Sequence, residues 1–297
     1  PENLAADEIK SIISESAFTN SHDFDDGILK MMAVRLEKNA PFIGKTVMEA
    51  ASVFPGVHFM PIALKREDSE STIIPRGNTI FCECDHVYFI TNKKGLDELY
   101  NLMGTEKQKV KNVMILGAGR VGSKLSKELS AQGLNIKLIE INEQKANDIA
   151  EELPDLMVLN VDGRNLDLLV EENLENMDAF ISTSGDSETN IMSCMMAKSK
   201  KVKKTIALVE NMDYFNLSQS IGIDSLINKK LLAANDIFKF VRNGDIVELA
   251  MLNDMDAEIV EFIVNENSKV LNKKIMDLDF PLTAIIGGVI RNNEGVI

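Results

Sequence analysis

The sequence predicts an α/β protein, with a doubly wound parallel-sheet domain flanked by two copies of a small α+β module, the second of them truncated. Three observations carry this prediction. Short apolar segments alternate with helical patterns over residues 109–228, a glycine-rich turn joins the first of those segments to a helix, and the segments on either side of this region resemble each other. Together they indicate one sheet domain between two related modules.

The clearest local pattern begins after Lys109. Residues 113–116 form an apolar run that leads into Gly-Ala-Gly-Arg-Val-Gly, and a helical pattern follows at 123–132. Further strands are predicted at 136–139, 157–160, 179–182, 205–209 and 225–228, and further helices at 143–153, 166–172 and 187–200. Strands that alternate with helices of this length indicate βαβ units and a parallel sheet.

Residues 24–103 have a different pattern, in which strands and helices do not alternate regularly. Strands are predicted at 28–36, 57–64, 79–84 and 87–91, and helices at 46–53 and 96–103. This mixture is typical of a small α+β module.

The two ends of the chain are related by a separation of 228 residues. At this separation Leu4, Ala5, Ala6 and Ile9 recur as Leu232, Ala233, Ala234 and Ile237, and Lys45 and Met48 recur as Lys273 and Met276. After a gap of two residues, Phe54-Pro55 pairs with Phe280-Pro281. A period this long does not describe a solenoid and indicates the duplication of a unit made of two parts.

The repeat predicts the domain boundaries. We expect a connecting helix at 1–23, the first module at 24–104, the sheet domain at 105–228, a second connecting helix at 229–246 and part of the second module at 247–297. By the same reasoning, the chain is expected to begin after a first sheet domain and to stop inside the second module, near the equivalent of Ile74.

The glycine-rich turn has the spacing of a dinucleotide-binding motif. Gly117 permits the tight turn, Gly119 lets the backbone approach a pyrophosphate, and Gly122 lets the helix pack close to the strand. Glu140, 18 positions after Gly122, is expected at the surface, where it would bind both ribose hydroxyls and repel a 2′-phosphate. NAD(H) or an adenosine nucleotide is therefore favoured over NADP(H). The alternative is that the glycines serve only helix–strand packing.

Polar residues also follow the third and fourth predicted strands. Asp162 follows the third, and Thr183, Ser184 and Asp186 follow the fourth, so all lie at the carboxyl edge of the sheet, where ligands of open α/β folds bind. We expect Asp162 to flank the adenine and Thr183 and Ser184 to meet the phosphates or the second ribose. Asp186 either contacts the ligand or caps the next helix.

Composition and charge exclude several classes of protein. With 46 acidic and 32 basic side chains the formal charge is −14, which disfavours nucleic acid and anionic lipid as partners. The longest segment without Asp, Glu, Lys or Arg, residues 50–64, is short and interrupted by proline, so it does not predict a membrane span. Three cysteines make no disulfide framework, which fits a reducing cytoplasm.

Metal and catalytic chemistry have little support in the sequence. Cys82, Cys84 and His86 alternate but lack a fourth ligand, so a buried pair of cysteines is expected rather than a metal site. Neither module offers a paired base and orienting group, so the nucleotide is expected to be sensed and not consumed. An NAD-dependent oxidoreductase with its catalytic part outside this chain is the open alternative.

With the GAGRVG loop, Glu140, the Val-Asp-Gly step at 161–163 and the duplicated module, the sequence resembles the KTN/RCK family over essentially its whole length. Members of that family regulate potassium transport and consist of a Rossmann N-subdomain and a small C-subdomain. The resemblance implies that the phosphates lie against Gly117, Ala118, Gly119, Arg120, Val121 and Gly122, the ribose against Glu140, the adenosine side against Asp162, and the fourth-strand loop at Thr183 and Ser184.

The resemblance further implies a cytoplasmic regulatory subunit, peripheral to the inner face of the cell membrane. It would bind NAD(H), or ATP, ADP or AMP, and gate an integral-membrane potassium uptake transporter; a potassium channel or efflux antiporter is the alternative partner. A homo-oligomer, at least a dimer, is expected through residues 214–221. Two departures from the family pattern are Leu208, where many relatives carry arginine, and Cys84-Asp85, where relatives usually show Gly-Asp.

Overall fold

The computed structural model of the protein describes residues 1–14, 20–53, 56, 58–69, 71–102, 110–211, 214, 222–241, 246–252 and 255–297. Its α-helices are α1 (Glu2–Ser14), α2 (Val47–Val53), α3 (Lys93–Leu102), α4 (Arg120–Ala131), α5 (Glu143–Glu152), α6 (Leu166–Glu171), α7 (Ser187–Ser199) and α8 (Lys229–Val241). Within these ranges no helix has the length and apolar character of a bilayer crossing.

The β-strands are β1 (Asn20–Phe24), β2 (Leu29–Arg35), β3 (Phe59–Lys65), β4 (Thr72–Ile73), β5 (His86–Asn92), β6 (Asn112–Leu116), β7 (Asn135–Ile139), β8 (Met157–Leu159), β9 (Ala179–Ser182), β10 (Lys204–Val209), β11 (Ser225–Asn228), β12 (Ile246–Met251), β13 (Glu258–Phe262), β14 (Val289–Arg291) and β15 (Glu294–Val296). The chain forms two compact units, Pro1–Ser16 with Lys109–Ala234 and Ala17–Gln108 with Asn235–Ile297.

The first unit is built on a parallel six-stranded sheet with the strand order β11-β10-β9-β6-β7-β8. The chain runs from β6 outward through β7 to β8, then returns to β9 and continues on the other side through β10 and β11. This confirms the doubly wound Rossmann sheet that the sequence predicts. The strand order reverses between β6 and β9, and ligands of such sheets bind at the carboxyl ends of the strands at this reversal.

The central strands of this sheet are buried on both faces. Val113 and Ile115 pack in one core with α1 and α4, whereas Met114 and Leu116 pack in the other with α7. Since alternate residues of a strand point to opposite faces, a strand that is covered on both sides must be a continuous apolar run. The unbroken apolar segments of the sequence therefore reflect the helices that cover both faces of the parallel sheet.

The second unit contains an antiparallel sheet with the order β1-β2-β5-β3-β4. One face, which includes Val34, Leu64 and Phe89, is covered by α2 and α3. The opposite face packs against the second module, and this shared core includes Met31, Ala33, Tyr88, Ile90, Ala250, Leu252 and Ile259. The small α+β module predicted from the sequence is confirmed, and its second face is buried by its own repeat.

The strand predicted at 79–84 is wrong. Only Ile80 forms an isolated β-bridge, and the backbone turns at Cys84, whose φ is +64°. The Asp85 carboxylate accepts a hydrogen bond of 2.7 Å from the Cys82 amide, which stabilises a turn in place of a strand ladder. The expected buried cysteine pair is also wrong, because Cys82 is exposed and Cys84 is half-buried. Within the described residues, no three His, Cys, Asp or Glu side chains form a metal-binding group.

The two modules share strand register as well as sequence. In the first module β1 pairs with β2 so that Asn20 lies opposite Ala33. In the second, β12 pairs with β13 so that Glu248 lies opposite Glu261. Each residue of the second pair follows its counterpart by the separation of 228 that relates the two sequences. The repeat therefore extends from residue identities to backbone pairing.

His86 in β5 predicts a local pH dependence of stability. Burial, followed by the positive charges of Arg35 and Lys65 on the neighbouring strands, lowers the pKa of His86 to about 4. The unfolded chain takes up this proton near pH 6.5, so the stability is fully present above that pH and is lost as the pH falls toward 4. Between pH 7 and pH 5 the wild type should lose on the order of 1–2 kcal/mol more than His86→Gln.

Hydrogen–deuterium exchange of the peptide that contains β5, corrected for the intrinsic pH dependence of exchange, measures this loss. The other titrating groups are common to both proteins, so their difference isolates His86. His58→Gln, at a partly exposed position of the same unit, is the control. Parallel exchange profiles for the wild type and His86→Gln would contradict the prediction.

Candidate nucleotide-binding site

The glycine loop joins the end of β6 to the start of α4 at the reversal of the strand order. Gly117 has a φ of +95°, and a Cβ atom there would lie 2.8 Å from the Ser184 amide nitrogen. A Cβ at Gly122 would lie 1.9 Å from the Gly117 carbonyl oxygen, whereas a Cβ at Gly119 would meet only the Thr183 carbonyl oxygen, at 3.9 Å. Gly117 and Gly122 therefore allow close backbone packing, and Gly119 leaves open space beside the helix terminus.

The amino terminus of α4 supplies positive potential to this open space. The first amides of a helix have no intrahelical acceptor, and the helix dipole adds partial positive charge there. Arg120 is the first residue of the helix, and its side chain is 85% exposed, with one guanidinium nitrogen 3.5 Å from Glu2. Ala118 and Val121 are buried beneath the loop. An anion such as a phosphate fits this donor set.

Glu140 follows β7 and lies directly against the glycine loop. Its Oε2 accepts a hydrogen bond of 2.9 Å from the Ala118 amide, and its Oε1 accepts one of 3.0 Å from the Asn142 amide. The Lys145 ammonium lies 3.3 Å from Oε2. The side chain is only 6% exposed, so the expectation that it lies at the surface is wrong. The Ala118 and Asn142 backbone amides need hydrogen-bond acceptors, and the hydrogen bonds that they donate hold the carboxylate in this buried position.

Glu140 is nevertheless ionised. Burial acts to raise the pKa of Glu140, but the hydrogen bonds from the Asn142 and Ala118 amides and the charge of Lys145 outweigh burial, so the pKa lies below its usual value. A carboxylate beside a glycine loop is the group that accepts hydrogen bonds from the ribose of an adenosine nucleotide in Rossmann folds. The loop and the acid thus form one hydrogen-bonded unit at the edge of the sheet.

Asp162 lies in the loop after β8 and is paired with Arg164. The guanidinium makes a bidentate contact, with Nη2 2.8 Å from Oδ2 and Nε 3.0 Å from Oδ1, and this pairing lowers the pKa of Asp162. A Cβ at Gly163 would lie 2.2 Å from a methyl group of Leu116, so this loop folds back toward the end of β6. Asp162 therefore belongs to the same sheet edge, with its carboxylate already engaged.

Thr183 and Ser184 form the loop after β9, directly against the glycine loop. The buried Thr183 hydroxyl donates its one proton in a bifurcated hydrogen bond to the Leu116 and Gly117 carbonyl oxygens, at 3.1 and 3.0 Å. Thr183 thus fixes one loop to the other, and its predicted ligand contact remains a prediction. The Asp186 side chain accepts a hydrogen bond of 2.8 Å from the Thr189 amide and caps α7, which favours the capping alternative for Asp186.

Two further residues at this edge were not predicted. Ile141 follows Glu140 and is 61% exposed, so it offers an apolar surface beside the acid. Asn190 is 1% exposed and makes hydrogen bonds to the loop after β9 and to β10. A signal for Asn190 exists in the sequence, because it lies on the helical face that also carries Cys194 and Ala197, both buried. The segment 214–221, predicted to mediate dimerisation, lies outside the described residues except for Tyr214.

Comparison with known proteins identifies relatives along the whole chain. A TrkA-N domain matches residues 113–229 and a TrkA-C domain matches residues 31–104. The Trk system potassium uptake proteins TrkA of Halomonas elongata and Haemophilus influenzae are each 30% identical over all of this chain, and TrkA homolog 1 of Methanosarcina mazei is 27% identical. The chain spans 65% of the length of each of these relatives.

Solved structures show the same fold. The GsuK RCK domain aligns with a TM-score of 0.55 at 19% identity, over 81% of this chain and 51% of that one. The GsuK channel bound to NAD aligns with a TM-score of 0.52 at 19% identity, over 80% of this chain and 42% of that one. With TrkA-N and TrkA-C domains, TrkA relatives along its whole length and an RCK fold, the chain belongs to the TrkA/RCK family.

Proposed function

We propose that this chain is a nucleotide-sensing regulatory subunit that binds NAD(H), or an adenine nucleotide, and regulates a membrane potassium uptake transporter. The observation that carries the proposal is the contact between the ionised Glu140 carboxylate and the Ala118 amide, 2.9 Å apart, beside the amino terminus of α4. It brings an acceptor for ribose hydroxyls and a donor set for phosphates to one edge of the sheet.

The arrangement supports NAD(H) as the favoured ligand. Phosphates would lie over Gly119 and the first turn of α4, with Arg120 reaching them from solvent. The ribose would meet Glu140, and the exposed Ile141 would offer an apolar contact to the adenine. The Asp162 carboxylate would contact the adenosine half of the ligand after the Arg164 guanidinium has moved away from that carboxylate. The negative charge of Glu140 disfavours a 2′-phosphate, as in NADP(H), although Lys145 reduces that repulsion.

The relatives support a membrane partner. The 30% identical proteins are named for the Trk potassium uptake system, and the GsuK neighbour is a channel. We therefore propose peripheral association with an integral-membrane potassium transporter subunit at the cytoplasmic face, as a homo-oligomer. The sheet domains of two subunits would pair in two arrangements, and the nucleotide would favour the arrangement that it binds more tightly. The shift in this equilibrium would be set by the ratio of the nucleotide's affinities for the two arrangements. Regulation, not turnover, is then the consequence of binding.

Gly119→Ala tests the phosphate site. The added methyl group has no protein atom nearer than 3.9 Å, so the fold should be unaffected, but it fills the space where the pyrophosphate must approach the backbone. Calorimetric titration with NADH, NAD+, ATP and ADP should show at least about a tenfold loss of affinity, as expected for loss of charge-assisted hydrogen bonds.

Gly77→Ala is the matched control, because a Cβ there makes only an ordinary contact with Met48 at 3.7 Å, in the other unit. Unchanged affinity in Gly119→Ala would remove the glycine loop from the ligand site. Loss of NADH absorbance on addition of small carbonyl compounds, catalysed by the wild type, would instead favour an oxidoreductase.

Glu140→Gln tests the ribose site. The substitution removes the charge that repels a 2′-phosphate, so the preference for NADH over NADPH should fall about tenfold or more from its wild-type value. Parallel calorimetric titrations with the two ligands measure the ratio, and thermal melts report any cost of altering the buried hydrogen bonds. Glu143→Gln removes an exposed carboxylate three residues away and should leave the ratio unchanged. An equal ratio in all three proteins would contradict the assignment of Glu140.

A further inference from the structure

Asn190 in α7 is the most highly bonded buried polar side chain near the site. Its Oδ1 accepts hydrogen bonds from the Ser182 hydroxyl at 2.8 Å, the Ser184 amide at 2.9 Å and the Ser184 hydroxyl at 2.7 Å. Its Nδ2 donates to the Ser184 carbonyl oxygen at 3.0 Å and to the Leu208 carbonyl oxygen at 2.7 Å. One carboxamide therefore joins the end of β9, the loop after it, and β10.

We infer that Asn190 is a positioning residue of the nucleotide site, whose carboxamide ties the Thr183-Ser184 loop to β10 and holds it in the conformation that binds ligand. The inference rests on the proposed nucleotide-binding function. It assigns Asn190 no contact with the ligand itself, because the side chain is 1% exposed and all its polar atoms are used within the protein.

The position of this loop matters because it forms one wall of the glycine loop. A Cβ at Gly117 would lie 2.8 Å from the Ser184 nitrogen, so the two backbones are in direct contact. The Thr183 amide also donates a hydrogen bond of 2.7 Å to the Leu116 carbonyl oxygen. A shift of Ser184 by a fraction of an ångström must therefore move the turn that would receive the pyrophosphate.

The hydrogen bonds require an amide at this position. The oxygen faces three donors and the nitrogen faces two carbonyl acceptors, so rotation of the carboxamide by half a turn would set donor against donor and acceptor against acceptor. A carboxylate of the same shape could accept from Ser182 and Ser184, but its second oxygen would lie against the Ser184 and Leu208 carbonyl oxygens. A buried acceptor without a donor is costly, and a buried charge is more so.

The difference between an amide and a carboxylate at position 190 gives a test that distinguishes a positioning role from a merely structural one. In Asn190→Asp the introduced carboxyl group is ionised at high pH and cannot donate, but it can donate once it is protonated, and burial favours the protonated form. The groups in contact with the side chain are hydroxyls and backbone atoms, none of which titrates between pH 5 and pH 8. Nucleotide affinity of this variant should therefore recover as the pH falls.

The experiment is calorimetric titration of NADH into the wild type and Asn190→Asp at pH 8 and pH 5.5, with each variant affinity divided by the wild-type value at the same pH. We expect at least a tenfold deficit at pH 8 and a deficit of about threefold or less at pH 5.5, as one donor is restored. Asn165→Asp is the control, because the exposed Asn165 side chain caps α6 only as an acceptor and should show no pH-dependent deficit.

A deficit of equal size at both pH values, or none at either, would overturn the inference. If Asn190→Asp does not fold at pH 8, Asn190→Ser replaces it, since a hydroxyl can donate one hydrogen bond at every pH; its deficit should then be about tenfold and independent of pH. Wild-type affinity in Asn190→Ser would also overturn the inference. Absence of NADH binding by the wild type itself would instead refute the proposed nucleotide-binding function.

Discussion

The sheet unit depends on one close backbone contact, between Gly117 at the end of β6 and the Thr183-Ser184 segment at the end of β9. No side chain fits between them, since a Cβ at Gly117 would lie 2.8 Å from the Ser184 nitrogen and one at Gly122 would lie 1.9 Å from the Gly117 oxygen. Helix α4 can begin directly over the sheet edge only because these positions lack side chains. The contact thus fixes where the positive end of the helix lies.

The same contact determines what happens to the acid at the end of β7. A glycine loop held this close to the sheet presents the Ala118 amide to Glu140, and the Asn142 amide binds the other carboxylate oxygen. Two amide hydrogen bonds and Lys145 offset the cost of burying the charge, so the acid stays ionised and oriented. These hydrogen bonds hold the carboxylate in one orientation, which reduces the entropy that it would lose on contact with a ligand.

The sequence predicted the strands of the sheet unit most closely where burial is complete. The predicted segments 179–182 and 225–228 coincide with β9 and β11, because a strand covered on both faces is an apolar run with polar ends. The prediction of a strand at 79–84 is wrong because alternation of polar and apolar residues also occurs in a turn, and the Asp85 carboxylate stabilises this turn by accepting a hydrogen bond from the Cys82 amide three residues earlier. The periodicity of apolar residues indicates which face of a strand or helix a residue occupies, but it does not indicate which side chains form hydrogen bonds.

For the candidate site, spacing predicted which residues meet at the sheet edge but not how they are bonded. The glycine loop, Glu140 and the loop at Thr183 do lie together, as the reversal of strand order requires. The burial of Glu140 depends in part on the Ala118 amide, 22 residues earlier in the chain, and the role of Asn190 depends on Leu208 and Ser182 together. Such bonds join distant segments, so no local pattern encodes them.

The paired modules show how a repeat diverges while its backbone register is kept. Glu261 and Ala33 occupy the same register position, and Glu248 and Asn20 lie opposite them. In the second module two carboxylates therefore face each other across the strands, and burial, followed by the charge of Glu248, raises the pKa of Glu261. His22 of the first module relieves this repulsion, because its Nε2 lies 3.0 Å from Glu248. The residue of the second module that is equivalent to His22 is Ala250, which cannot form such a contact. The first module therefore supplies an imidazole to the second and receives none in return, so the two copies are not interchangeable.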